Sequence, residues 1–247
     1  MPRYDFRAPR LYVRAPLAAG ATVPLDRAQA HYLGTVLRLT CGGRVLIFNG
    51  RDGEWSATLQ TLKRTATLVV GARTRPQPAP ADLHYLFAPL KAARLDYMVQ
   101  KAVEMGVSAL QPVLTRHGQV ARINAERMLA NAIEAAEQCG LLSLPEIKPL
   151  AALTDVLAAW EPERRLVFCD EDAEVKSPVA ALAGLPAAPL ALLIGPEGGF
   201  SAEERDMLLK RPHVVRLSLG PRILRADTAA VAALAVIQAV VGDWREG

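Results

Sequence analysis

Leu190-Ala-Leu-Leu-Ile-Gly-Pro-Glu-Gly-Gly-Phe-Ser-Ala-Glu-Glu204 is the stretch on which the reading of this chain turns. Its first five residues are wholly apolar and stop at a glycine turn, the pattern of a strand buried on both faces of a parallel sheet. Ser201, with Glu204 three residues on, starts a helix through a capping box. The segment reads strand, glycine-rich turn, helix. That order puts Gly195, Pro196, Glu197, Gly198 and Gly199 at the carboxyl edge of a sheet, where open α/β folds bind ligands. Glycines there let a ligand approach backbone N–H and C=O groups closely. A purely structural turn accounts for the glycines too, but the Glu197 carboxylate has little packing value in one.

Downstream, Leu217-Ser-Leu-Gly-Pro-Arg-Ile-Leu-Arg-Ala-Asp-Thr-Ala229 follows the same plan. A strand over 214–219 stops at Gly220-Pro221, a helix begins near 225–228, and Arg222, Arg225, Asp227 and Thr228 gather around the turn. Asp227 reads either as a carboxylate favoured by the helix dipole or as a ligand group. Neither loop is GxGxxG, and GxxxxGK[ST] occurs nowhere. A dinucleotide dehydrogenase and a P-loop NTPase would both lack their phosphate cradle.

Working outward, strand runs at 83–88, 109–114 and 166–169 alternate with helical patterns at 94–105 and 125–139, and an Ala-rich helix spans 227–241. This is an α/β domain. Residues 73–80, Arg-Thr-Arg-Pro-Gln-Pro-Ala-Pro, have the composition of an extended linker. The expected domains are therefore 1–75 and 76–247. The first carries short strand runs at 11–13, 21–25, 44–48, 54–62 and 66–70, a helix capped by Asp26, and a hairpin connection at Asn49-Gly50-Arg51-Asp52-Gly53. These elements describe a small β-barrel-like module.

With 247 residues, 51% hydrophobic and 22% charged, the chain has a globular composition, which excludes disordered and collagen-like classes. Its longest apolar stretch, 226–241, contains Asp227, Thr228 and Gln238 and falls short of the ~20 residues of a membrane span. Arg3, Asp5, Arg7 and Arg10 interrupt any apolar export signal, so a cytoplasmic location is expected. Three cysteines and four histidines lie scattered without ligand spacing, and no metal is expected. Charge is unevenly divided. Residues 1–75 hold twelve bases, eleven of them Arg, against four acids, a net +8 within a chain of net +4. Solvated surface arginines would account for this, but the asymmetry favours a polyanion partner, and the planar guanidinium suits phosphate.

Taken together, several motifs resemble the RsmE family of bacterial methyltransferases. They are Ile194-Gly-Pro-Glu-Gly-Gly-Phe200, Leu217-Ser-Leu-Gly220, Arg222-Ile-Leu-Arg225 and Thr228-Ala-Ala230. Arg10-Leu-Tyr-Val13, His31-Tyr-Leu-Gly-Thr-Val-Leu-Arg38, Phe48-Asn-Gly-Arg-Asp-Gly-Glu54, Gln100-Lys-Ala-Val-Glu-Met-Gly106 and Ala135-Ala-Glu-Gln-Cys139 fall in family order as well. Two stretches depart from the usual pattern: Cys139-Gly-Leu-Leu-Ser-Leu-Pro145 replaces a polar Gly-Arg segment, and Lys91-Ala-Ala-Arg94 stands where Lys-Gly-Asp is common.

The resemblance implies a SPOUT-type α/β catalytic domain with a deep trefoil knot, a small N-terminal PUA-like β-barrel that binds RNA, and a homodimer. It implies methylation of a uridine N3 in 16S ribosomal RNA, as free RNA or in the small ribosomal subunit, with S-adenosylmethionine as donor. Gly195, Leu217, Leu219 and Leu224 would line the donor pocket, with Pro196, Glu197, Gly198 and Gly199 in its wall and Gly220 in the second turn. Arg225 is expected to contact the reacting base, and Glu197 to accept its proton or order the pocket. Arg10, Arg38, Arg51 and Arg222 are the expected RNA contacts. A knotted methyltransferase acting on another atom, such as a ribose hydroxyl, and an RNA-binding assembly protein with a vestigial pocket are the competing readings.

Overall fold

The computed structural model describes residues 8–61, 66–79, 81–186 and 188–246. It divides into two compact units, one of residues 1–80 with 136–144 and one of 81–135 with 145–247. The inclusion of 136–144 in the first unit is not anticipated by a boundary drawn at 75/76 from the sequence.

The first unit contains β1 (Arg10–Tyr12), β2 (Thr22–Pro24), α1 (Arg27–His31), a π-helical turn (Tyr32–Val36), β3 (Arg44–Phe48), β4 (Glu54–Thr61) and β5 (Thr67–Arg75). Its sheet order is β1-β3-β4-β5-β2, antiparallel except for the β1–β3 pair. Asp26 and Gln29 form the capping box that starts α1. In the hairpin between β3 and β4, the Asn49 side-chain oxygen accepts from the Arg51 and Asp52 N–H groups at 3.1 and 2.9 Å. That bond pattern explains why an Asn opens the turn. Leu11, Val23, Leu33, Ile47, Leu59 and Leu68 form the core.

The proposed linker is shorter than its composition suggests. β5 runs on through Arg75, because the Arg75 guanidinium reaches the buried Glu54 carboxylate at 2.6 Å and the Gly140 carbonyl at 3.0 Å. Such charge-assisted bonds hold an arginine in regular structure despite the prolines that follow. The predicted strand 54–62 ends at Thr61, and Leu62 lies outside the described residues.

The second unit contains β6 (Leu83–Phe87), α2 (Ala92–Glu104), β7 (Ala109–Leu114), α3 (Ala125–Cys139, whose last turn falls in the first unit), β8 (Glu146–Ile147), β9 (Ala151–Ala152) and α4 (Leu153–Ala158). It continues with β10 (Arg165–Cys169), α5 (Pro178–Leu182), β11 (Leu190–Ile194), α6 (Ala202–Leu209), β12 (Val214–Leu217) and α7 (Ala226–Val240). The sheet order is β12-β10-β11-β6-β7-β8, with β9 also on β7, and every pairing is parallel. All five residues of β11 are buried, as its unbroken apolar run requires of a central parallel strand. Leu86, Val113, Leu157, Phe168, Leu193 and Leu208 pack one core cluster. Because all strands run the same way, the loops after β6, β10, β11 and β12 open at one edge. Among the described residues no helix is long and apolar enough to cross a membrane.

Candidate active site

Loop 195–199 leaves β11 as a tight turn, with the Gly199 N–H donating to the Pro196 carbonyl at 2.9 Å. A Cβ on Gly195 would lie 2.8 Å from the Phe200 ring, so glycine is required there by the aromatic packed over the turn. The capping box read from the sequence is present: Ser201 Oγ accepts from Glu204 N–H at 3.2 Å and Glu204 Oε2 accepts from Ser201 N–H at 2.9 Å. Glu204 Oε1 also accepts from the Arg116 N–H at 2.7 Å, joining the turn after β7 to this loop. In that same turn His117 places Nδ1 3.2 Å from both the Gly198 and Gly199 carbonyl oxygens.

The second loop begins two residues earlier than the predicted strand end, since β12 stops at Leu217. Leu217 and Ser218 are buried, Leu219 and Leu224 are half-buried, and Arg222 is exposed. Gly220 sits at φ +92°, a left-handed conformation that favours glycine. Arg225 is the N-cap residue of α7, its carbonyl accepting from Ala229 N–H at 2.8 Å while its side chain is exposed.

Arg94, in the first turn of α2, ties loop 195–199 to the first turn of α7, which follows the second loop. Its guanidinium bonds Asp227 at 2.9 and 3.0 Å and also pairs with Glu197. This fork-on-carboxylate geometry is the strong form of ion pair. The Arg94 hydrogen bond holds the Asp227 carboxyl below its ordinary value, against the opposing effect of partial burial, and Asp227 in turn raises the Arg94 guanidinium. Asp227, which the sequence left between cap and ligand, is an ion-pair partner.

A second ion cluster braces the end of β10. Burial pushes the Asp170 carboxyl up, but hydrogen bonds from Arg216 at 2.7 Å and Arg205 at 3.2 Å outweigh it and hold the group below its ordinary value. The Asp170 N–H donates to the Leu217 carbonyl at 3.0 Å, so β10, β12 and α6 meet at this carboxylate. Neither ion cluster was legible in the sequence, where Arg94, Asp170, Arg205 and Arg216 lie far apart. The nearest signal was Arg94 standing beside a departure from the family pattern.

Of the expected RNA contacts, Arg38, Arg51 and Arg222 are exposed. Arg38 holds φ +55°, unusual outside glycine. Arg10 is different: it is 7% exposed and faces the Glu54 carboxylate at 3.7 Å, so its guanidinium is not on a surface that RNA can reach. The error has a simple cause, since β1 carries Arg10 into the partly polar interior that Glu54 creates. Among the described residues no group of three or more His, Cys, Asp or Glu side chains is placed to hold a metal ion.

An all-parallel sheet with two glycine loops at one edge, in one chain with a small arginine-rich β-sheet unit, is a layout shared by two-domain RNA methyltransferases. Residues 77–238 match the RNA methyltransferase domain family, and residues 25–70 match the RNA methyltransferase PUA domain. Ribosomal RNA small subunit methyltransferase E of Synechocystis sp. is 32% identical, covering 94% of this chain and 78% of its own. The protein of that name from Rickettsia conorii is 29% identical, with 93% and 94% covered. The crystal structure of a ribosomal RNA small subunit methyltransferase E from Neisseria gonorrhoeae bound to S-adenosyl methionine superposes with a TM-score of 0.84 at 27% identity, with 94% and 97% covered. The chain belongs to the ribosomal RNA small subunit methyltransferase E family.

Proposed function

We propose that this protein methylates N3 of a specific uridine in 16S ribosomal RNA of the small subunit, with S-adenosylmethionine as donor. The observation that carries this reading is the convergence of loops 195–199 and 217–225 at one edge of the parallel sheet, where Arg94 ties Glu197 of the first loop to Asp227 in the α7 turn that follows the second. The loops fit such a donor. A Cβ on Gly199 or Gly220 would meet nothing within 4 Å, so the backbone there is open to a ligand, and half-buried Leu219 and Leu224 offer apolar surface to a purine. Residues 195–199 with Leu217, Leu219, Gly220 and Leu224 would hold it. When bound, the donor supplies a methyl carbon made electrophilic by its sulfonium.

What remains for the chain is alignment and charge control, and alignment alone supplies roughly 7–11 kcal/mol in well-oriented reactions. Arg225, exposed where α7 begins, stabilises the negative charge developing on the uridine. Glu197, already paired with Arg94, orders the pocket rather than taking the proton. N3 lies on the pairing edge, so the uridine is bound unpaired or turned out. Residues 76–247 form the catalytic domain and residues 1–75 the RNA-binding domain, where Arg38 and Arg51 contact phosphates, joined by Arg222 from the catalytic loop.

The finer fold reading is a deep trefoil knot, supported by the order β12-β10-β11, in which the chain leaves β11 and returns past β10 to form β12. A cytoplasmic homodimer completes the proposal, and light scattering of the purified protein tests the dimer.

The function is tested by incubating the protein with labelled S-adenosylmethionine and small ribosomal subunits, or their free RNA, from a strain lacking this gene, followed by nucleoside mass analysis. Labelled 3-methyluridine is expected. A label on a ribose hydroxyl, or on any other nucleoside, overturns the target atom.

A further inference from the structure

The proton on uridine N3 has no acceptor among the groups assigned so far, because Glu197 is held in an ion pair with Arg94. His117, in the turn after β7, has the bonding pattern of one. Both partners of its Nδ1, the Gly198 and Gly199 carbonyl oxygens at 3.2 Å, only accept hydrogen bonds. The ring hydrogen must therefore sit on Nδ1, and the neutral imidazole has its lone pair on Nε2. Among the described residues both hydrogen bonds of the ring are at Nδ1, and the side chain is exposed, leaving Nε2 open to a ligand against the loop.

The ring is also held firmly. A Cβ on Gly198 would lie 3.2 Å from His117 Cβ, so the absence of a side chain at Gly198 is what lets the histidine settle on the loop. The Arg116 N–H bond to Glu204 anchors the same turn from α6. The charged groups around the ring are Arg116 in its own turn, Glu203 and Glu204 at the start of α6, and the Glu197–Arg94 pair in the loop it touches.

We propose that His117 Nε2 accepts the N3 proton during methyl transfer, a role that rests on the uridine-N3 reading above. The N3–H bond breaks and its proton goes to Nε2. The N3 electron pair forms the new N–C bond, the methyl carbon–sulfur bond breaks with its pair left on a neutral thioether, and the imidazolium returns its proton to water. Nothing further is oxidised or reduced.

Two variants and one spectrum test this. His117→Asn keeps an N–H where Nδ1 stood, and so keeps the hold on the Gly198 and Gly199 carbonyls, but has nothing at the position of Nε2. The expected result is donor affinity by calorimetry within about threefold of wild type, turnover lowered roughly 10²-fold or more, and loss of the acid limb of the pH–rate profile. His117→Ala should lose turnover and regain part of it when imidazole is added. Nitrogen-15 NMR of the protein without donor or RNA should find the neutral His117 ring protonated on Nδ1. Full turnover in His117→Asn, an unchanged acid limb, or a ring protonated on Nε2 overturns the proposal. If wild type itself yields no 3-methyluridine, the uridine-N3 reading has failed instead, and the two failures are told apart in one assay.

Discussion

Arg94 bridges two carboxylates, Glu197 in the loop after β11 and Asp227 in the first turn of α7, and the structure ranks the two links. Side-chain exposure is 31% for Arg94, 15% for Asp227 and 41% for Glu197. Exposed ion pairs couple by only about 0.2–1 kcal/mol, whereas hydrogen bonds to charged groups away from water contribute about 1.5–3 kcal/mol. The bidentate, more sheltered Asp227 link should therefore couple by about 1.5 kcal/mol and the Glu197 link by less. Arg94→Ala removes both, and at roughly 2–4 °C per kcal/mol for a unit of this size the melting temperature should fall by about 4–8 °C.

The assay is a double-mutant cycle of Arg94→Ala with Asp227→Asn, and a second with Glu197→Gln, followed by urea unfolding at pH 7. pH gives an independent check. Because Arg94 depresses the folded-state Asp227 carboxyl, its stabilisation is complete above the unfolded value of about 3.9 and is lost as pH falls through the lower folded value. The Asp227 coupling should thus be flat from pH 7 to pH 5 and shrink only in acid. A Glu197 coupling larger than that of Asp227, or an Asp227 coupling near zero at pH 7, refutes the reasoning.

Other outcomes follow from the same geometry. Gly195→Ala drives a Cβ to 2.8 Å from the Phe200 ring and should cost about 1–3 kcal/mol by overpacking; thermal melts should show Phe200→Leu recovering most of it. Arg225→Ala should reduce turnover far more than donor affinity, and an unchanged rate removes it from the mechanism. In RNA binding, Arg38→Gln and Arg51→Gln should each flatten the salt dependence by about 0.7–0.9 per lost phosphate contact. Arg10→Gln, buried against Glu54, should leave that slope alone and lower the melting temperature instead. Burial pushes the Cys169 thiol up to about 12, so alkylation at pH 8 read by mass spectrometry should label exposed Cys41 and spare Cys169.

Much of this protein can be read from its residue order, because the signals are local. Apolar runs predicted 44–48, 109–114 and 190–194 as strands, and β3, β7 and β11 occupy those residues. The helical pattern over 125–139 is α3, and Asp26 and Ser201 cap the helices they were expected to start. A strand period, a capping box or a glycine turn depends on neighbours within a few positions, so it survives without knowledge of the fold. Short elements with weak patterns, such as α4, β8 and β9, carried no such signal and were missed.

What the residue order could not decide are the pairings between distant side chains. Asp227 was ambiguous until Arg94, 133 positions away, was brought against it. Glu197 looked like a free carboxylate, and Arg10 like a surface cation, because each partner is supplied by another element. His117 was one scattered histidine until β7 ended beside the glycine loop and brought its Nδ1 to 3.2 Å from two carbonyl oxygens. Local propensity places the loops. Only the packing of the parallel strands decides which charges meet at their ends, because an ion pair's strength depends on distance and water exclusion, and both are set by tertiary structure.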